Sequence, residues 1–458
     1  MNDLIIDNVK IKKVLVVGLG FRTGLAVSNF LAKRNIEVLV SDKKKEAELE
    51  DILGKLDSRV KVKAGDQSTD LLTSDLDFII LSPGVPASIP LITEALQRKI
   101  PVLSEIELAS YFLKGTVIAV TGTDGKSTTT ALIKHILKEL GYDAFMGGNI
   151  GIPLISLVDK TDQDSVLVVE LSSFQLEHII KFRPRIALFL NFSPDHLDRY
   201  QSLDDYFQAK QRITLNQTRN DLYIYNLDDS YLVKNLPRVV SKKLSFSLDP
   251  SQKSEAALYA DQTCIYNSKG DEVLDGGDLN ILGRHNLQNV MAAWLAVASF
   301  LNKAVDDSKI RAACISFQPL SHRLERVRSY RERIFINDSK ATTINATLAA
   351  LRSFSSPVVL FLGGRSKGDD FQKLAPEVFK RVKHLILFGE AQQELGKVFA
   401  NNPKSFVSSL EEGIQEAISR SEAKEVILFS PACASFDMFR DYEERGDQFK
   451  KIVKNLGK

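Results

Sequence analysis

An excess of charge of either sign is missing from this chain: 60 Lys and Arg stand against 58 Asp and Glu over 458 residues, a net charge of +2. Such a balance supplies no field that would gather nucleic acid or an anionic membrane, although local sites for small phosphates remain open. Cysteine is scarce. Cys264, Cys314 and Cys433 are odd in number and widely spaced, so neither a disulfide framework nor a zinc-type spacing can be built from them. Long hydrophobic runs are absent as well. The longest apolar stretch, Val290 to Leu301, contains Trp294 and Ser299 and is too short to span a bilayer. Asp3 and Asp7 lie where a signal peptide would carry basic residues. The expectation is a protein of the reducing cytoplasm, without membrane insertion and without a nucleic-acid partner. No low-complexity tract or short-period repeat interrupts it.

What is there alternates between two periodicities. The apolar run Val14–Val17 stops at Gly18-Leu19-Gly20, an amphipathic stretch with Leu25, Ala26, Phe30 and Leu31 follows, and residues 37–42 read as a second strand ending in Asp42. Strand, glycine turn, helix, strand and acid make a βαβ unit of nucleotide-binding type. Phe78–Leu81 meets the turn Ser82-Pro83-Gly84, and one more strand and helix are expected before residue 113. The pattern restarts at Val117–Val120, with further strand candidates at 166–170, 186–190 and 222–225, short strands and turns over 241–279, and a helix from about Asn286 to Phe300. Past Pro319 it restarts again, with apolar runs at 334–336, 358–362, 385–388 and 426–429 separated by helical segments. Three α/β domains are expected, at 1–112, 113–318 and 319–458.

The segment Gly122-Thr123-Asp124-Gly125-Lys126-Ser127-Thr128 lies between a strand and a helix, and we read it as a triphosphate-binding loop. Glycine-freed N–H groups at a helix start accept phosphate oxygens, Lys126 neutralises the outer phosphates, and Ser127 offers a hydroxyl to Mg²⁺. The strict G-x-x-x-x-G-K-[ST] form fails, because Val120 stands in place of its first glycine. The Gly18-x-Gly20 turn, with Gly24 off the usual spacing, could serve NAD, a nucleotide sugar, or the fold alone. Glu170, at a strand end near the loop, is placed to ligate Mg²⁺ directly or through water, although taken alone it reads as an ordinary acidic turn residue. His196 lies between Asp195 and Asp198 beyond another strand, which suggests a metal or proton-transfer role. Lys210, beside Gln211 and Arg212, reads by itself as a solvated charge on a helix. In the last third, the turns 337–342, 363–368 and 430–435 each follow a strand, suggesting one crevice for a carboxylate-bearing ligand. Cys433 in that crevice reads as a small buried residue rather than a nucleophile.

Taken together, Gly122–Thr128, Glu170-Leu-Ser-Ser-Phe-Gln-Leu-Glu177, Asp195-His196-Leu-Asp198-Arg199, Gly283-Arg-His-Asn286-x-x-Asn289, His322-Arg323-x-Glu325 and Asn337-Asp338-Ser-Lys340-Ala-Thr342 occur in an order that resembles the Mur ligase family. The Gly18-Leu19-Gly20 start, Ser82-Pro83-Gly84, Gly148-Asn149-Ile-Gly151 and Ser430–Ser435 with Arg445-Gly446 resemble its D-glutamate-adding branch. The resemblance implies an N-terminal Rossmann-like domain for a UDP group, a central P-loop-type ATPase domain and a C-terminal Rossmann-like domain for the amino acid. It implies a monomeric ATP-dependent amide ligase joining D-glutamate to UDP-MurNAc-L-Ala through an acyl phosphate, with ATP and Mg²⁺ (two sites). Lys126, His196, Lys210 and Lys340 would form the catalytic set, Lys210 as a carbamate whose oxygens attract Mg²⁺ where an ammonium would repel it. Ser127, Glu170, His196 and Lys210 would hold metal. Gly122 to Thr128, Asn289, Arg323 and Asp338 would bind ATP, with Asn289 near adenine. Asp42, Ser82, Pro83, Gly84 and Asn149 would meet the UDP substrate, and Thr342, Lys367, Ser435 and Tyr442 the D-glutamate. The chain departs from the family pattern at Asp124, usually Asn, and in the Gly20–Gly24 spacing, which is one residue longer than usual. At Tyr442 the family often has Phe.

Overall fold

In a computed structural model, the residues described are 5–6, 9–195, 199–281, 283–302, 306–354, 357–366, 368 and 370–457. The strand Lys13–Val17 is buried at four consecutive positions, Val14 to Val17, as expected for a parallel strand covered on both faces. It is the middle of a five-stranded parallel sheet in the order Lys61–Ala64, Glu37–Asp42, Lys13–Val17, Phe78–Leu81, Val102–Leu103. The chain reverses its direction of travel across this sheet between Lys13–Val17 and Phe78–Leu81. A crevice opens there, at the carboxyl ends of the two strands.

The second sheet has nine strands, and its strand Thr116–Thr121, third from one edge, is flanked in parallel by Val166–Glu170 and Ile186–Phe189. Two antiparallel strands, Cys264–Asn267 and Glu272–Asp275, close its far edge. After Thr121 the chain turns into the helix Lys126–Glu139, whose Leu132, Ile133, Ile136 and Leu137 are buried. Gly141, at φ +85°, follows the helix end and supplies the left-handed turn that stops it.

These two sheets belong to one compact unit, Met1–Gly277 with Gln288–Cys314. The reason lies in its packing. A single cluster of buried apolar side chains runs from Val14, Val16 and Phe30 through Leu103, Ile106 and Leu108 to Leu154, Ile155, Leu167 and Val169. The short helix Glu105–Ser110 fastens the layers with buried carboxylates. Glu107 accepts the N–H groups of Ile180, Lys181 and Phe182 at 2.9, 2.8 and 2.9 Å, and Glu105 accepts that of Ile155 at 2.6 Å.

The other unit, Asp278–Leu287 with Ile315–Lys458, carries a six-stranded sheet. Its order is Glu325–Tyr330, Arg333–Asn337, Val426–Ala432, Val358–Gly363, Val382–Phe388, Lys404–Phe406, and only the first pair is antiparallel. Helices cover both faces, with separate cores around Leu360 and Leu387 on one side and Phe361 and Phe429 on the other. The fold class is therefore α/β throughout.

Burial raises two carboxyl groups to about 7: Glu105 from 4.5 and Asp338 from 3.8. A raised pKa means that the folded chain holds a proton the unfolded chain has released. That stabilisation is complete below the unfolded pKa and is lost as pH rises through the folded one. We expect resistance to urea to fall between pH 4.5 and about 7, and Glu105→Gln to flatten that slope when the urea midpoint is measured across the range.

Candidate active site

The phosphate loop is shaped by glycine and pinned by Asn191. Gly125 precedes the helix at φ +79°, and a Cβ placed on it would lie 2.3 Å from Asn289 Oδ1, so any other residue there would be strained and would displace Asn289. Asn191 Oδ1 accepts the N–H groups of Thr123 and Asp124 at 3.1 and 2.8 Å, and its Nδ2 donates to the Asp124 carbonyl at 3.1 Å. Asn289 thus stands under the loop, within 3.2 Å of Thr129 Oγ1. Asp124 is exposed, so its carboxylate faces solvent rather than the loop's interior.

Two amines converge on one carbonyl. Lys126 Nζ donates to the Gly122 and Thr123 carbonyls at 3.0 and 2.6 Å, and Lys210 Nζ donates to the same Gly122 carbonyl at 2.7 Å. Lys210 comes from the helix Leu203–Gln211 and is only 2% exposed. The solvated-charge reading of this residue is therefore wrong. Helical periodicity set its face, but the aromatic residues Tyr206 and Phe207 draw that face inward, and both are buried. Burial first, and the nearby Lys126 charge second, hold the Lys210 amine well below the usual lysine range.

Glu170 ends the strand beside the loop and is 2% exposed. Its Oε1 accepts Asn149 Nδ2 at 2.7 Å, and its carbonyl accepts the Asn149 N–H at 2.8 Å. Oε2 is buried with no hydrogen-bond partner among the described residues. An orphaned buried carboxylate oxygen fits a cation, because it otherwise carries an uncompensated desolvation cost. With Ser127 buried at the helix start, these oxygens suit a hard divalent ion. Among the described residues no three His, Cys, Asp or Glu side chains gather into a cage of their own. His196 lies outside the described residues.

The second part of the site is a cleft of about 630 Å³ at the crevice of the first sheet. Asp42, Ser82, Pro83, Gly84 and Asn149 all line it, together with the Gly18–Gly24 turn. Asp42 is already engaged: its oxygens accept the N–H groups of Leu19 and Lys44 at 2.6 and 2.9 Å. It thereby shapes the turn that lines the cleft. Ser82 Oγ likewise donates to the Gly18 carbonyl at 2.7 Å.

In the other unit, the three strand-end turns do meet. Arg365 and Ala434 exchange backbone hydrogen bonds at 2.9 and 3.1 Å, and the Ala432 N–H reaches the Ala341 carbonyl at 2.9 Å. Arg445, fully buried, ties two of them, donating to Ser339 Oγ at 3.0 Å, the Ser339 carbonyl at 2.7 Å and the Cys433 carbonyl at 3.1 Å. Ser435 is buried and Thr342 half-buried at this edge, and Cys433 is a buried residue there. The Lys340 ammonium sits 5.3 Å from the centre of the Tyr442 ring. Lys367 lies outside the described residues. Asp338 accepts from Leu324 N and Ser430 Oγ at 3.1 and 2.7 Å, with the Arg323 charge nearby.

The sequence assigns no role to Asn191 or to Arg445. Both act by hydrogen-bonding a distant segment, a pairing that the motif at Arg445-Gly446 does not reveal. A polar residue standing immediately after a buried strand, as Asn191 does, was the one available cue.

A parallel sheet ending in a glycine loop and helix, with an amine and a buried carboxylate beside it, defines an α/β protein of the phosphate-loop class. Sequence models of the Mur ligase MurD-like N-terminal domain, the Mur ligase middle domain and the Mur ligase glutamate ligase domain match residues 12–104, 120–297 and 322–433. The chain is 42% identical to UDP-N-acetylmuramoylalanine–D-glutamate ligase of Geotalea daltonii, over 98% of each chain. Identity to the enzyme of the same name from Koribacter versatilis is 39%, again over 98% of each. Among solved structures it resembles UDP-N-acetylmuramate-alanine ligase of Thermotoga maritima, with a TM-score of 0.60 and 21% identity, covering 96% of this chain and 99% of that one. The chain belongs to the Mur ligase family, in its MurD-like branch.

Proposed function

We propose that this chain is an ATP-dependent ligase that joins D-glutamate to UDP-N-acetylmuramoyl-L-alanine in peptidoglycan precursor synthesis. The observation that carries the ligase reading is the bond from Asn149 to Glu170, because it ties a residue lining the cleft to the buried carboxylate at the end of the strand beside the one that leads into the phosphate loop. D-glutamate as the amino acid rests on the full-length relatives. The domains take the boundaries 1–112, 113–318 and 319–458, and the protein acts as a monomer in the cytoplasm. No described helix is long and apolar enough to cross a membrane.

The acceptor carboxylate attacks the γ-phosphorus of ATP, and ADP leaves. The amine of D-glutamate then attacks the acyl phosphate carbon, and the tetrahedral adduct expels phosphate as the amide forms. Lys126 and the loop N–H groups clamp charge on the transferred phosphoryl group. Ser127, Glu170, His196 and the carbamate of Lys210 would hold Mg²⁺ at two sites, where it would neutralise phosphate charge. Asn289, Arg323 and Asp338 frame the adenosine side. Lys340 adds positive charge near the reacting carboxylate, while Thr342, Lys367, Ser435 and Tyr442 hold the amino acid, cation and hydroxyls to its carboxylates.

Incubation with UDP-MurNAc-L-Ala, ATP and a panel of amino acids tests the assignment. D-glutamate should give the fastest phosphate release and a product heavier by one glutamyl residue in an intact mass spectrum. Equal or faster turnover with another amino acid overturns the specificity. In the same assay Gly125→Ala should weaken ATP binding by about tenfold or more, since a Cβ meets Asn289 and strains the left-handed backbone. Calorimetric titration with ATP measures this directly.

A further inference from the structure

Arg22 stands just before the helix Thr23–Ala32 and lines the nucleotide cleft, where a cation invites assignment to a substrate phosphate. Its guanidinium is committed elsewhere. Nη1 donates to the Asn149 carbonyl at 3.1 Å, and Nη2 donates to the Gly148 and Gly151 carbonyls at 3.1 and 2.9 Å. Three of the five N–H groups of a guanidinium are thereby spent on one backbone turn. The opposite side of the same segment is held by Glu105, which takes the Ile155 N–H at 2.6 Å. A cation grips the carbonyls and a carboxyl group grips an amide, both from the first sheet's layer, across residues 148–155.

We propose that Arg22 is a positioning residue for the ligase reaction: by fixing the 148–151 turn it sets Asn149, and through Asn149 the orientation of Glu170 at the phosphate loop. This rests on the ligase reading above. Glu170 Oε1 is held by Asn149 Nδ2 at 2.7 Å, and the Glu170 carbonyl by the Asn149 N–H at 2.8 Å. Both bonds depend on where the turn sits. Rotation of Asn149 would release the carboxylate that keeps its other oxygen for a cation. Lysine cannot replace this function, since a point charge does not span three divergent carbonyls as a planar fork does.

Two measurements on the full chain separate positioning from substrate contact. Amide hydrogen exchange, run without ligands, should show the amides of 148–155 exchanging about tenfold or more faster in Arg22→Met, which keeps the stem and removes the fork. Arg22→Lys should show the same acceleration, and Glu105→Ala should loosen the 152–155 end. In steady-state assays, Arg22→Met should lower kcat by about tenfold or more and raise the Mg²⁺ concentration needed for half-maximal rate, with a smaller change in KM for the UDP substrate. Unchanged exchange together with a rise in KM alone would overturn the proposal and make Arg22 a substrate contact. Should Arg22→Met not fold, Arg22→Lys carries both comparisons. A wild-type protein with no D-glutamate-dependent turnover would sink the ligase reading instead, while the exchange result still decides the clamp.

Discussion

Lys126→Ala should lower D-glutamate-dependent phosphate release by about 10³-fold or more, the scale of removing a cation that clamps a transferring phosphoryl group. The ammonium is held 3.0 and 2.6 Å from the Gly122 and Thr123 carbonyls, at the mouth of the loop and the positive end of a 14-residue helix. Alanine leaves the loop N–H groups and the helix end in place, so ATP should still bind, though more weakly. The loss should therefore fall mainly on kcat, because the charge that Lys126 offsets grows as the phosphoryl group leaves ADP. Stopped-flow phosphate release beside calorimetric ATP binding separates the two. A variant turning over within about threefold of wild type would remove Lys126 from the mechanism.

Lys210→Met should be nearly as damaging, at about 10²-fold or more in kcat, with the fold intact. Methionine suits a site that is 2% exposed, whereas it offers no nitrogen to the Gly122 carbonyl or to CO₂. Burial and the Lys126 charge favour the neutral amine. A neutral amine bonds its nitrogen to the carbon of CO₂ and loses one proton to solvent, leaving a carbamate anion beside Lys126. Wild-type protein equilibrated with ¹³C-bicarbonate should show a carbamate carbon resonance that is missing from Lys210→Met. Full activity in the variant, or no such resonance in the wild type, would reduce Lys210 to a structural prop for the loop.

Much of this was legible in the chain because it is local. The strands Glu37–Asp42 and Phe78–Leu81 fall at the residues where the apolar runs place them. The helix after Lys126 ends just before Gly141, and the helix expected from about Asn286 spans Arg284–Leu301. Strands without such runs were missed. Lys61–Ala64 and Lys404–Phe406 are short and partly charged, and they pair because they lie at sheet edges, where one side needs no apolar neighbour. Lys210 shows the complementary failure. Its chemistry is invisible beside Gln211 and Arg212, and only the packing of its helix against the loop makes it a buried amine.

The α/β alternation, the glycine loop ahead of the helix Lys126–Glu139, and the three polar turns at the strand ends of the last third follow from the chain alone. Each depends on period, on backbone freedom at glycine, or on residues adjacent in the chain. Folding in three dimensions sets the rest: Lys126 and Lys210 share the Gly122 carbonyl, Asp42 shapes its own turn, and Arg22, Asn149 and Glu170 form one connected path. Apart from the Lys126–Gly122 and Lys44–Asp42 bonds, those facts are hydrogen bonds between residues 21 to 127 positions apart, the widest joining Arg22 and Asn149. No local pattern encodes such distances, because burial and pairing are set by which strands the sheet places side by side.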